Sequence, residues 1–274
     1  MRILKISFVI IILTAAGTPS SGPPMENEPS ENTEEMDNPQ NAITPQQAWA
    51  LGCAAILNER NHARHDLLGT QFRTKKNVDG CRKFLVTSGW DIKNRTELLD
   101  SLIWLESGGH RQKFERLGRK LQALSYAEYQ NLLKEYQSDK ELLFETKIAR
   151  ELYAALGEKS LYGWDLSRYI CLCRWGYLAG YLTEDEAWEK IMPVARILQS
   201  KFDSWQDLGQ NYLIGRYFWS YKNTKENGFL YEDAYLRLLD MPSSPWNMLP
   251  WDLDLMDKKL ASVPGRTTPV AKNN

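Results

Sequence analysis

The sequence predicts an all-α domain, a compact bundle-like array of about eight to ten helices closed by a Pro/Trp-rich carboxy-terminal strap. Three observations predict it. Capping boxes, in which a small polar residue and a carboxylate or amide three positions later satisfy each other's backbone donors, recur along the chain. Apolar residues repeat at steps of three and four, and no stretch shows the period-two alternation of β-branched residues that a half-buried strand requires.

Taken in order, Thr44 to Gln47 with Pro45 at the first helical position opens the first helix. Asn94 to Glu97, Ser125 to Glu128, Ser138 to Glu141, Thr183 to Glu186 and, more loosely, Ser204 to Asp207 mark further starts. Gly108-Gly109, Gly157 and Gly228 are candidate stops, because glycine accepts the left-handed conformation that ends a helix. Pro193 interrupts a helical pattern and predicts a kink or a split after Met192. From Tyr162 to Leu182 the segment is apolar most of the way round, which predicts a helix at the centre of the bundle. From Trp205 to Trp219 the positions Trp205, Leu208, Tyr212, Gly215 and Trp219 form one seam, with Gly209 and Gly215 allowing a neighbouring backbone to approach. Beyond Asp240, three prolines (Pro242, Pro245, Pro250) predict a segment that cannot be a regular helix. Trp246 and Trp251 among them predict an apolar strap laid over the bundle.

Composition bounds the organisation and the partners. Residues 1–17 read as a secretory signal peptide: Arg2 and Lys5, then an apolar run from Ile6 to Leu13, then Ala15-Ala16-Gly17. The alternative is an amino-terminal membrane anchor, but the apolar run is well short of the ~20 residues of a spanning helix, so no membrane span is expected in the mature chain. Residues 18–43 read as an acidic disordered tether of Pro, Ser, Asn and Glu, 44–260 as one helical domain, and 261–274 as a loose tail. Residues 44–274 hold 32 basic and 29 acidic side chains, a balance that leaves no electrostatic footprint for nucleic acid. An exporting compartment permits a Cys53–Cys81 bridge, whereas Cys171 and Cys173, two apart on a helix, read as buried free thiols. Their spacing with His62, His65 and His110 matches no standard zinc pattern, so no metal is expected. Likewise, no phosphate-cradling or dinucleotide fingerprint implies a cofactor, and no GxSxG or HExxH motif is present.

A few polar residues stand where burial is expected. Asp165 and Arg168, three apart on the central helix, share a face and read as a buried pair. That pairing predicts about 3–5 kcal/mol lost on Asp165→Asn or Arg168→Met alike. The functional alternative is a carboxylate and a guanidinium lining a pocket, with Asp165 and His110 as the acid–base candidates. Arg216, amid Tyr212, Tyr217 and Trp219, reads as a guanidinium stacked on an aromatic ring. Candidate binding residues are Arg168, Arg216, Arg111, Trp164, Trp205 and Trp219, each of which also has a structural reading. His62 and His65, beside Arg60 and Arg64, read as a solvated face. Asn94-Arg95-Thr96 fits a glycosylation acceptor, which has meaning only in a host that glycosylates.

The motifs Gly163-Trp164-Asp165-Leu166-Ser167-Arg168, Gly176 to Leu182 leading to Glu186-Ala187-Trp188, Ser204-Trp205 and Gly215-Arg216-Tyr217-Phe218-Trp219 resemble the bacterial DUF1266 family. Ser88-Gly89-Trp90, Gly108-Gly109-His110-Arg111, Pro245-Trp246 and Pro250-Trp251 extend the resemblance over roughly residues 85–252. It implies a compact, mainly helical domain and carries no catalytic residues over. The sequence therefore supports an exported binding or interaction module, with a protein or a small ligand as partner. Two alternatives stand beside it: a hydrolase-type enzyme with a pocket around Asp165, Arg168, His110 and Arg216, and an effector or antagonist in bacterial competition.

Overall fold

The computed structural model describes residues 43–70 and 73–256. The expected signal peptide, nearly all of the tether and the tail lie outside these residues. Among them are twelve α-helices and no strand: α1 Pro45–Gly52, α2 Ala55–Arg60, α3 Lys75–Thr87, α4 Arg95–Ser107, α5 Gly109–Gln122, α6 Tyr126–Glu135, α7 Lys140–Leu156, α8 Tyr162–Leu178, α9 Glu184–Lys201, α10 Trp205–Trp219, α11 Tyr221–Asp240 and α12 Pro245–Met248. Two 3-10 turns follow α6 and α7.

Local chemistry explains most of the boundaries. Complete capping boxes open α1 at Thr44, α6 at Ser125 and α9 at Thr183. Asn94 and Ser204 cap α4 and α10 by accepting the backbone N–H three residues on. The start expected at Ser138 falls one residue later: the Asp139 carboxylate accepts from Leu142 N, 3.0 Å. Glu141, released from that box, instead caps α11 from a distance, accepting from Lys222 N at 2.9 Å and from Ser220 Oγ at 3.1 Å.

Three expectations about helix ends need correcting. Gly228 lies inside α11 and stops nothing. The central helix ends at Leu178, because Gly180 at φ +79° turns the chain and the N–H groups of Tyr181 and Leu182 close on Gly176 O. Helix α9 runs unbroken through Pro193. Pro193 and Glu189 are both exposed, so the carbonyl that the proline leaves without a donor lies on the solvent side.

As expected, α8 is central: it packs against α3, α4, α5, α9 and α10, and fourteen of its seventeen residues are buried. The α8–α10 seam is close because Gly215 takes no side chain; a Cβ there would stand 2.1 Å from Cβ of Trp164. The approach is therefore to a ring rather than to a neighbouring backbone.

The strap closes the opposite flank. Trp246 and Trp251 join Trp49 and Trp205 in one aromatic cluster, with neighbouring ring centroids 4.6–6.2 Å apart. Each of these four indoles donates to a backbone carbonyl: Trp49 to Pro250 and Trp251, Trp205 to Leu249, Trp246 to Gly52, and Trp251 to Phe202. Trp205, a candidate binding residue, is thus a strap-anchoring core residue with no free polar atom. All four cysteines are free and buried, so Cys53 and Cys81 form no bridge, and burial pushes the Cys81 and Cys171 thiols up to about 12. No helix among the described residues is long and apolar enough to cross a membrane.

Candidate functional site

The site is built where α4 ends and α5 begins. Gly108 is at once the last cap of α4 and the first cap of α5, and it has no side chain with which to satisfy the exposed N–H groups of α5. Asp165, from the first turn of α8, supplies what is missing. Its Oδ1 accepts from His110 N and its Oδ2 from Arg111 N, both at 3.0 Å. Only glycine fits at 109, where φ is +51° and a Cβ would stand 2.4 Å from Asp165 Oδ2. The Gly-Gly-His-Arg and Trp-Asp-Leu-Ser-Arg motifs are therefore two halves of one joint.

Arg111 completes the joint. Its Nη1 donates to Asp165 Oδ2 at 3.2 Å and to Leu105 O at 2.6 Å, its Nη2 donates to Glu106 O, and its guanidinium lies 4.5 Å from the Tyr162 ring centre. The fully buried Asp165 is thus neutralised by Arg111 and by the positive end of α5. This corrects the expected Asp165–Arg168 pair: Asp165 has no hydrogen bond to Arg168, and its oxygens are committed to the joint.

Arg168, one turn along α8, makes a different contact. Its Nη1 lies 3.0 Å from His110 Nδ1, while Asp165 Oδ1 is 3.5 Å from the same nitrogen. A guanidinium can only donate, so Nδ1 accepts and the ring proton sits on Nε2. Burial, opposed by Asp165 and reinforced by the Arg168 charge, lowers the His110 pKa and keeps the ring neutral. In this tautomer neither ring nitrogen is free to take a proton: Nδ1 is occupied by Arg168 and Nε2 already bears hydrogen. The acid–base pairing of Asp165 with His110 is not assembled; His110 is placed as a donor.

The Arg168 guanidinium is held between two indoles, 4.4 Å from the ring centre of Trp90 and 4.4 Å from that of Trp164. Burial pushes its pKa down to about 10, which leaves it charged at neutral pH. Arg168 and His110 open onto a cavity of about 400 Å³ whose walls are Trp90, Trp104, Trp164, Trp175, Trp219 and Phe84. Asn61, Ser88, Ser101 and Tyr212 are also in the lining, and among the described residues no Asp or Glu is. The Trp164 Nε1–H and the Tyr212 hydroxyl are buried without a hydrogen-bond partner. Trp104 and Trp219 are about two-fifths exposed, 42% and 40%, and leave the cavity with an aromatic rim.

Of the candidate residues, the cavity therefore gathers His110, Trp164, Arg168 and Trp219. Asp165 and Arg111 lie behind it as its support. Arg216 sits a layer back, stacked on Trp219 at 5.0 Å and on Tyr231 at 4.6 Å, with Nη2 donating to Asn227 Oδ1 at 2.5 Å. The stacking expected of Arg216 is what the structure has. His65 is not simply solvated: its Nε2 lies 3.0 Å from Glu59 Oε2, and Glu59 also accepts from Arg237 of α11. No cluster of three or more His, Cys, Asp or Glu side chains that could hold a metal occurs among the described residues.

Sequence reasoning passed over Trp104, Trp175, Tyr212 and Phe84 as lining residues. One signal was available for Trp104: its helical neighbours are Asp100, Ser101, Ser107 and Gly108, and a tryptophan on so polar a stripe is turned away from the core.

Comparison with known proteins agrees with the motif reading. An uncharacterised protein of Escherichia coli (strain K12), YbeU, is 26% identical over 190 residues, covering 69% of this chain and 77% of the relative. No solved structure matches. The family model described as a protein of unknown function, DUF1266, matches residues 86–251, a span that contains Trp90, Trp104, His110, Asp165, Arg168 and Trp219. The chain belongs to the DUF1266 family.

Proposed function

We propose that the domain is a binding module whose ligand is a small organic molecule taken into the aromatic cavity between α4, α8 and α10. The observation that carries this reading is a cavity of about 400 Å³ walled by five indoles, onto which the Arg168 guanidinium and the His110 ring open. The volume lies within the roughly 300–1,000 Å³ of small-molecule sites. A binding role is favoured over hydrolysis because the Asp165 carboxylate is spent on the α5 joint and His110 is held as a donor by Arg168.

The amino-terminal segment adds the second half of the proposal: an exported domain carried on an acidic tether, its cavity facing an extracytoplasmic medium. Amino-terminal sequencing of the mature chain after cell fractionation tests export, and a chain that begins at Met1 in the cytoplasm overturns it. For the cavity, the tests are a thermal-shift screen of small organic molecules and quenching of the indoles that line it. A hit whose binding Trp104→Ala abolishes supports the reading. Hits that bind equally to Trp104→Ala and Trp219→Ala variants place binding elsewhere and overturn it.

A further inference from the structure

The cavity lining is unbalanced in one direction. It presents one fixed cation, Arg168, and the His110 ring, yet among the described residues no Asp or Glu lines it. Arg168 spends Nη1 on His110, and Nε and Nη2 have no hydrogen bond among the described residues. His110 Nε2–H likewise has none among the described residues, because the contact at Nδ1 fixes the proton on the other nitrogen. Asp165 acts on Arg168 only through space: its hydrogen bonds go to Arg111 and the start of α5, and none goes to Arg168.

Resting on the cavity reading above, we infer that the ligand is an organic monocarboxylate with a flat apolar body: its carboxylate accepts from the free edge of Arg168 and from His110 Nε2–H, and its body lies among the indoles. A planar guanidinium offers a carboxylate two parallel N–H groups, and Trp90 and Trp164 on its two faces hold it in one orientation. Charge decides between a carboxylate and a phosphate monoester. One cation in the lining matches a single negative charge, whereas a dianion leaves an excess charge inside an aromatic wall. The exposed rims of Trp104 and Trp219 give the apolar end a way out to solvent. Arg168 is half-buried between two indoles with no hydrogen-bonded carboxylate, which leaves the edge of its guanidinium for an anion.

The test is calorimetric titration of the full chain with paired probes: benzoate, 2-naphthoate and indole-3-acetate, each against its primary amide, with phenyl phosphate as the dianionic arm. The acids are expected to bind at least about tenfold more tightly than their amides, and phenyl phosphate more weakly than 2-naphthoate. Arg168→Met is expected to bring acid and amide to the same affinity; Arg168→Lys, which keeps the charge, is expected to retain part of the difference and serves if the methionine variant does not fold. Equal binding of acid and amide to the parent chain overturns the carboxylate inference while leaving the cavity reading intact. Tighter binding of phenyl phosphate overturns the single-charge assignment, and an acid preference that survives Arg168→Met places the anion elsewhere. Binding of no probe up to about 5 mM overturns both the inference and the reading beneath it.

Discussion

Two groups of tryptophans on one fold have opposite hydrogen-bonding states. In the strap cluster, Trp49, Trp205, Trp246 and Trp251 all donate to backbone carbonyls, and three of the four are almost wholly buried. Around the cavity, no indole donates to the protein: Trp164 is buried with its N–H unpaired, and Trp104 and Trp219 are partly exposed. A saturated indole contributes area and a hydrogen bond to folding, and nothing further can be asked of it. The cavity indoles instead wall an open space and, at Trp104 and Trp219, reach solvent. The contrast marks the cavity on which the proposed binding role rests.

The same contrast separates Asp165 from Arg168, which stand one turn apart on α8. Asp165→Asn is expected to have the largest effect, a loss of about 3–5 kcal/mol in denaturant unfolding, because it leaves the buried Arg111 without its charge partner and weakens the cap of α5. Arg168→Met is expected to cost less than about 1 kcal/mol or to stabilise, since no carboxylate is left behind. Equal losses in the two variants would restore the simple buried pair and remove the basis for a site at Arg168.

Smaller effects sharpen the tryptophan comparison. Trp205→Phe is expected to cost about 1–3 kcal/mol by leaving the Leu249 carbonyl without its donor, whereas Trp104→Phe stays within about 0.5 kcal/mol. Gly215→Ala is expected to cost about 1–3 kcal/mol by pressing on Trp164, and to alter cavity binding as well; unchanged binding beside lost stability would detach Trp164 from the site.

The smallest expected effect concerns pH. The His110 pKa is lowered in the folded chain by burial, so below its ordinary value of 6.5 the unfolded chain takes up a proton that the folded chain resists. Stability from this group is complete above about pH 7 and declines as the pH falls below 6.5. Comparing unfolding at pH 7.5 and 5.5 for the parent and His110→Gln isolates it: the variant is expected to lose less on acidification. An identical loss in both would mean that the ring is not held neutral.

Legibility from sequence followed the range of the interactions. The capping boxes at Thr44, Ser125 and Thr183 act across three residues and were readable, as were the central helix and the strap. The caps supplied from afar were not: Asp165 serves α5 across 54–55 residues and Glu141 serves α11 across 80–81, so no local window contains both partners. Without the first of these, Asp165 and Arg168 look like each other's natural partner.

Composition and periodicity by themselves determined an all-helical chain with its central helix and its strap, while the motifs carried the family resemblance. These depend on side-chain spacing along one axis, which the sequence displays directly. Only the tertiary structure decided which charges are spent and which are free, because that turns on a few ångströms between elements far apart in the chain. Asp165 went to a helix terminus and Arg168 to a place between two indoles at the cavity wall, a division invisible in the motif Trp-Asp-Leu-Ser-Arg.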